Sequence, residues 1–159
     1  MRIMGLDFGA KTVGVALSDE LLLTASALEV IRRKDADKLR KTCARIEEIV
    51  KAYDVSEIVV GLPLHMDMRM SGMAESAMRF RDMIGRRTGL KTVMWDERLT
   101  SVEAREILRL NGVQKENEKE VIDMVAAKVI LESYLEHRRL ADTKQTEETD
   151  AKDYIPSGG

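Results

Sequence analysis

The sequence predicts an α/β fold: a five-stranded mixed sheet in the strand order 3-2-1-4-5, flanked by helices. Three observations predict it. The first thirty residues alternate with the period of two that strands require, Ile/Val-rich runs then alternate with stretches of helical period, and the chain closes on a long helical pattern. Strand–helix–strand crossovers within one sheet make parallel neighbours, so strands one, four and five run together, and strands two and three extend the sheet antiparallel.

In residues 2–8, Met4, Leu6 and Phe8 point to one face, and Ile3, Gly5 and Asp7 to the other. Gly9-Ala10-Lys11 is a turn, and residues 12–18 alternate again, with Val13, Val15 and Leu17 opposite Gly14 and Ala16. A third strand near residues 27–31 completes a meander. Leu39, Cys43, Ile46, Val50 and Tyr53 then recur at helical steps, with Lys41, Arg45, Glu48 and Lys51 on the other side. Residues 57–61 form a short strand that Leu62-Pro63 ends. A loop carrying Met66, Met68, Met70 and Met73 leads into a helix ending near Arg87 and Gly89, and residues 91–95 are the last strand. Thr100-Ser101-Val102-Glu103 fits a capping box opening a helix to about Asn111, which Gly112 stops. The final helix is expected over residues 118–137.

With 159 residues, the chain is one domain with a sizeable core rather than two. Residues 1–139 read as that domain. Residues 140–159 read as an acidic, disordered tail, with Asp142, Glu147, Glu148, Asp150 and Asp153 against Lys144 and Lys152. The formal net charge of −2 permits a nucleic-acid partner without arguing for one. Cys43 is the single cysteine, which excludes an internal disulfide and a thiolate metal cluster. No segment approaches the ~20 apolar residues of a membrane span, and charges interrupt the N-terminus, so the expectation is a cytoplasmic protein.

Three acids stand out by position. Asp7 lies at the end of strand one and Asp96-Glu97 follows strand five, so both groups reach the sheet edge where ligands bind in open α/β folds. Asp123 falls on the apolar side of the last helix, among Ala126, Ala127, Ile130 and Tyr134. Carboxylates gathered in one place repel unless protons or cations neutralise them. Lys11 or Arg98 could do so as structural ion pairs. Equally, hard oxygen ligands suit Mg²⁺ or Mn²⁺, and a pair of such ions serves phosphodiester hydrolysis. From spacing alone either Asp96 or Glu97 could be the ligand, because neighbours on an extended chain point apart. Lys11 fits a phosphate contact or a place along the hairpin, Thr12 a structural hydroxyl within phosphate reach, and Arg98 a phosphate clamp or a packing salt bridge. Thr100 reads as an N-cap, Asp67 as a loop-turn acid, and His65 and His137 as surface residues.

Residues 4–19, MGLDFGAKTVGVALSD, resemble the opening motif of the bacterial YqgF/RuvX family, pre-16S rRNA nucleases also described as Holliday-junction resolvase-like. Val60-Gly61-Leu62-Pro63-Leu64-His65-Met66-Asp67, Trp95-Asp96-Glu97-Arg98-Leu99-Thr100 and Asp123-Met124-Val125-Ala126-Ala127 with Ile130-Leu131 resemble its later motifs, in order. The resemblance covers residues 1–138. It implies an RNase H-like nuclease fold, with Asp7, Glu97 and Asp123 as a catalytic set binding Mg²⁺ or Mn²⁺; Lys11, Thr12 and Arg98 are the candidate substrate contacts beside it. It further implies processing of the 5′ end of pre-16S rRNA, with Holliday-junction resolution as the alternative and a homodimer compatible with either. Where the family has glycines in the loop after Met-Asp, this chain has Met68 and Ser71, with Gly72 one step on. Two other classes stay open. The hairpin at residues 7–12 also resembles the phosphate-binding turn of actin-like ATPases, for which the chain is short, and a non-catalytic nucleic-acid-binding module would keep the fold without the metal.

Overall fold

A computed structural model describes residues 1–35, 38–62, 72–97 and 116–153, with side chains of the last segment described over 124–147. Its elements are β1 (Arg2–Phe8), β2 (Thr12–Ser18), β3 (Ala25–Arg32), α1 (Arg40–Ala52), β4 (Val55–Leu62), α2 (Gly72–Thr88), β5 (Lys91–Asp96) and α3 (Glu116–Asp153). The five strands form one sheet in the order β3-β2-β1-β4-β5. β1 pairs antiparallel with β2, placing Asp7 opposite Gly14, and parallel with β4, placing Leu6 beside Val60. β4 in turn pairs parallel with β5. The expected order and directions are those observed.

The period-two pattern sorts side chains onto two cores. Met4, Leu6, Phe8, Val13 and Val15 face α1 and α2, where they meet Ile46, Ile49, Phe80 and Ile84. Phe8 and Phe80 stack there with ring centroids 4.5 Å apart. On the other face, Ile3, Ala16, Val59 and Trp95 meet Ala127, Ile130, Leu131 and Leu135 of α3. Because β1 is buried on both faces, its only small residue sets how near α3 can come. A methyl on Gly5 would stand 2.7 Å from Leu131 Cβ and 3.0 Å from the Ala127 carbonyl oxygen.

Local details follow from backbone chemistry. Asp19 Oδ1 accepts from the amides of Leu23 and Thr24 at 2.7 and 3.0 Å, which closes the β2–β3 turn and holds the Asp19 carboxyl below its usual range. Gly89 takes φ +70 between α2 and β5, the left-handed conformation that ends a helix at low cost in glycine. Gly72, by contrast, opens α2 in open space, where a methyl would meet nothing within 4 Å.

The last helix differs from the expected span, running from Glu116 to Asp153 rather than over 118–137. Its apolar stripe does fade after Leu135. Residues 138–153, however, contain no glycine or proline and are rich in good helix formers, so the backbone continues as helix into the acidic segment. The capping box at Thr100, the helix expected after it, and the loop bearing His65, Met66, Asp67, Met68 and Met70 lie outside the described residues. Among the described residues no helix is long and apolar enough to cross a membrane.

Candidate functional site

The site is built at the carboxyl ends of β1, β4 and β5. Asp7 is the penultimate residue of β1 and half-buried. By strand alternation it shares a face with Ile3 and Gly5, the face that α3 covers. Trp95 occupies that same face, donating from Nε1 to Ser133 Oγ at 3.2 Å and meeting the rings of Tyr134 and His137. Glu97, two residues on, therefore turns toward α3, and Asp96 turns away. The geometry bears this out, because a methyl on Gly61 would stand 3.0 Å from Glu97 Oε1 and 2.5 Å from Ile130 Cδ1. Gly61 is thus the open floor over which the Glu97 carboxyl lies. Of the two adjacent acids that spacing alone left open, Glu97 is the one on the Asp7 side.

α3 supplies the third wall. Tyr134 donates its hydroxyl to the Glu57 carboxylate near the start of β4, and Ile130 lies over Gly61 near its end. The helix accordingly runs antiparallel to β4, and its N-terminal half leads toward the edge holding Asp7 and Glu97. Asp123 belongs to that half, four residues before Ala127 and so one turn beyond it. Its side chain lies outside the described set, as does the whole of Arg98.

Electrostatics mark Glu97. Burial, with the neighbouring Asp96 charge adding to it, pushes its carboxyl up to about 7. A hard divalent cation beside such a carboxyl would favour its ionised form, and carboxylate oxygens are the donors those ions take. The donor chemistry therefore fits Mg²⁺ or Mn²⁺. Among the described residues no group of three or more His, Cys, Asp or Glu could hold a metal ion, and the three-acid set from the sequence reaches beyond them at Asp123.

The turn after Asp7 holds the two other described candidates. Gly9 N–H donates to Thr12 O at 2.8 Å, Thr12 is part-buried, and Lys11 is exposed at the tip. Beneath the turn lies a residue that sequence reasoning did not single out. Arg33 is only 7% exposed, donates from Nη2 to the carbonyls of Gly9 and Ala10 at 2.6 Å each, and sits 4.8 Å over the Phe8 ring. The signal that could have found it is the stride of β3, which carries the buried Ile31 face on to position 33.

His137 is exposed, as expected of a surface residue, although its ring lies against Trp95. Cys43 is a buried free thiol beside Met83.

Residues 1–137 match the RuvX family model, described as Holliday junction resolvase. The chain belongs to the RuvX family. Its curated relatives include a protein of Agathobacter rectalis, 52% identical over 86% of this chain and 96% of the relative, and one of Lachnospira eligens, 53% identical over 87% and 99%; each bears the name "Putative pre-16S rRNA nuclease". Among solved structures, Thermus thermophilus RuvC superposes with a TM-score of 0.54 at 13% identity, covering 86% of this chain and 96% of RuvC. The fowlpox virus Holliday junction resolvase gives 0.52 at 13%, covering 86% and 99%. These likenesses show that the RuvX chain has the RNase H-like fold of the resolvases.

Proposed function

We propose that this RuvX-family protein is a metal-dependent nuclease that hydrolyses phosphodiester bonds of structured nucleic acid, its substrate the 5′ end of pre-16S rRNA in the cytoplasm. The observation that carries the reading is the Glu97 carboxyl, lying over Gly61 on the face that Asp7 shares and raised by burial to about 7. Its relatives' names supply the substrate class.

In this reading Asp7, Glu97 and Asp123 hold Mg²⁺ or Mn²⁺. The bound metal supplies Lewis-acid stabilisation of charge at the scissile phosphate. Asp7 pairs with Gly14 of β2 and follows Leu6, which pairs with Val60 of β4, so its carboxylate is pre-positioned without a flexible loop. Glu97 is desolvated over Gly61 and against Ile130, which keeps bulk water from screening the charge it bears once ionised. Lys11 at the turn, Thr12 beside it and Arg98 after Glu97 orient the phosphate by charge and hydrogen bonding, contacts that position a strand without reading its sequence.

The test incubates wild-type protein and Asp7→Asn with precursor rRNA 5′ ends and with four-way DNA junctions, in Mg²⁺ and in Mn²⁺. Cleavage of the rRNA end by the wild type, its loss in Asp7→Asn and an unchanged melting temperature are expected. Full activity of Asp7→Asn would remove the acidic set from the chemistry. The RuvC fold favours a second reading, a resolvase acting on branched DNA, and cleavage of the junction alone would select it. A homodimer belongs to that second reading, since a junction presents two equivalent strands.

A further inference from the structure

The β1–β2 turn has a second neighbour, on the sheet face opposite Asp7. Between the end of β3, the start of α1 and α2 opens a cavity of about 1030 Å³. Of the ten described residues that line it, seven are Arg or Lys. Arg87 pairs with Glu47 at 2.7 Å and Lys38 with Asp35 at 3.2 Å, so the local excess of positive charge is carried chiefly by Arg33, Lys34, Arg40 and Lys41.

Two further features require an anion more than they tolerate one. The first is the start of α1. Its N-cap residue, Leu39, provides no side-chain cap, its first turn contains no acid, and Arg40 and Lys41 stand there instead. Helix dipoles favour the reverse arrangement, and an oxyanion in the cavity would supply the negative charge. The second is Arg33, buried in the cavity wall. Its Nη2 is used on the Gly9 and Ala10 carbonyls, while its Nε and Nη1 have no hydrogen-bond partner. Among the described residues, the partners of this buried guanidinium are two carbonyl dipoles and the Phe8 ring, so it projects positive charge into the adjoining space.

We propose that this cavity is a phosphate-binding groove for the sugar-phosphate backbone of a nucleic-acid strand running on from the Asp7 edge. The lining selects backbone over base, since it offers cations and the apolar Leu39 and Met83 but no aromatic ring for stacking. Arg33 links the two places physically: it grips the turn whose first residue, Gly9, lies two positions after Asp7. Only the identity of the ligand rests on the nuclease reading; the groove itself does not.

The experiment is fluorescence anisotropy with a labelled single strand of ~20 nucleotides, RNA and DNA in separate arms, in EDTA so that nothing is cut, over a salt series. Three proteins are compared. The test variant is Lys34→Glu with Lys41→Glu, both exposed at the groove. The control is Lys51→Glu with Lys144→Glu, exposed elsewhere and equal in charge change. At about 100 mM salt the test variant is expected to bind at least ~10-fold more weakly than wild type, with a log–log salt slope shallower by about 1.4, the value for two lost single-strand phosphate contacts. The control should follow the wild type. Wild-type affinity and slope in the test variant would overturn the proposal, as would equal weakening by the control. So would displacement of the strand by pyrophosphate or a mononucleotide at the strand's own concentration, which would mark a small-molecule site. A protein that binds through the groove yet cuts nothing would leave this inference standing while the nuclease reading falls.

Discussion

Gly5→Ala tests the packing on which the acidic edge depends. The added methyl meets Leu131 Cβ at 2.7 Å and the Ala127 carbonyl oxygen at 3.0 Å. Carbon atoms in a packed interior rest at about 3.5–4.0 Å, so α3 must retreat by roughly 1 Å. Neither obstacle is the tip of a flexible side chain, and no rotamer change relieves the contact. The retreat loosens Ile130, Leu131 and Leu135 from Ile3 and Val59. Overpacking of this kind costs about 1–3 kcal/mol, and rigid obstacles put Gly5→Ala at the upper end, ~3 kcal/mol. For a chain of this length each kcal/mol lowers the melting temperature by about 2–4 °C, giving a fall of roughly 6–12 °C. Gly61→Ala supplies the comparison, because its nearest obstacle is Ile130 Cδ1, the end of a side chain that can swing. Its expected cost is nearer 1 kcal/mol, with a larger effect on the Glu97 carboxyl it touches than on stability. Thermal unfolding followed by circular dichroism, with urea titration as a second measure, ranks the two. If Gly5→Ala melted with the wild type, or Gly61→Ala were the weaker protein, the inferred close approach of α3 would be wrong.

Glu97 makes a pH prediction. Its carboxyl is raised from 4.5 to about 7 in the folded state, so between those values the folded protein holds a proton that the unfolded chain has released. Stability of the metal-free protein therefore falls as pH rises from about 4.5 through 7, by on the order of 3 kcal/mol, and is flat above. Glu97→Gln should flatten that profile in urea titrations across this window; an unchanged profile would assign the burial wrongly. Tyr134→Phe removes the hydroxyl donor to Glu57, a carboxylate only 7% exposed that lies 3.7 Å from the Lys91 ammonium, and should cost about 1–3 kcal/mol in denaturant titration. Ser133→Ala takes the acceptor from the single tryptophan, Trp95, and should cost about 1 kcal/mol with a shift in indole emission. Asp54 takes φ 53 after α1, so Asp54→Gly should raise stability by about 0.5 kcal/mol, seen as a small rise in melting temperature.

The strands were readable because alternation is short-ranged and the sheet is covered on both sides. Met4, Leu6 and Phe8 could face one core, and Ile3 and Gly5 the other, only if a layer lay on each. Strand order followed from the crossover rule and from the hairpin. Asp7 could be placed at the edge for the same reason. Spacing alone did not divide Asp96 from Glu97, and the family motif named Glu97; the physical basis of the choice is which neighbour Trp95 packs against, a long-range contact with Ser133, Tyr134 and His137. The far end of α3 escaped because periodicity reports burial, whereas residues beyond Leu135 are helical by propensity without a buried face. Arg33 escaped for a related reason. Within Arg32-Arg33-Lys34 it looks like one of three solvated charges, and only the folded hairpin reveals the carbonyls waiting for it.

That the first strand is roofed by the last helix has a consequence for synthesis. Among the described elements, the side of the sheet with Ile3, Val59 and Trp95 is covered by α3, whose packing residues run to Leu135, some forty residues after β5 is complete. At ordinary translation speeds of about 5–20 residues per second, that is an interval of roughly 2–8 s in which a nascent chain exposes a greasy plane. A ribosome stalled within this stretch would hold a half-built molecule, sticky and without activity, so trigger-type chaperone contacts are expected to concentrate there and to vanish once the C-terminal roof has docked.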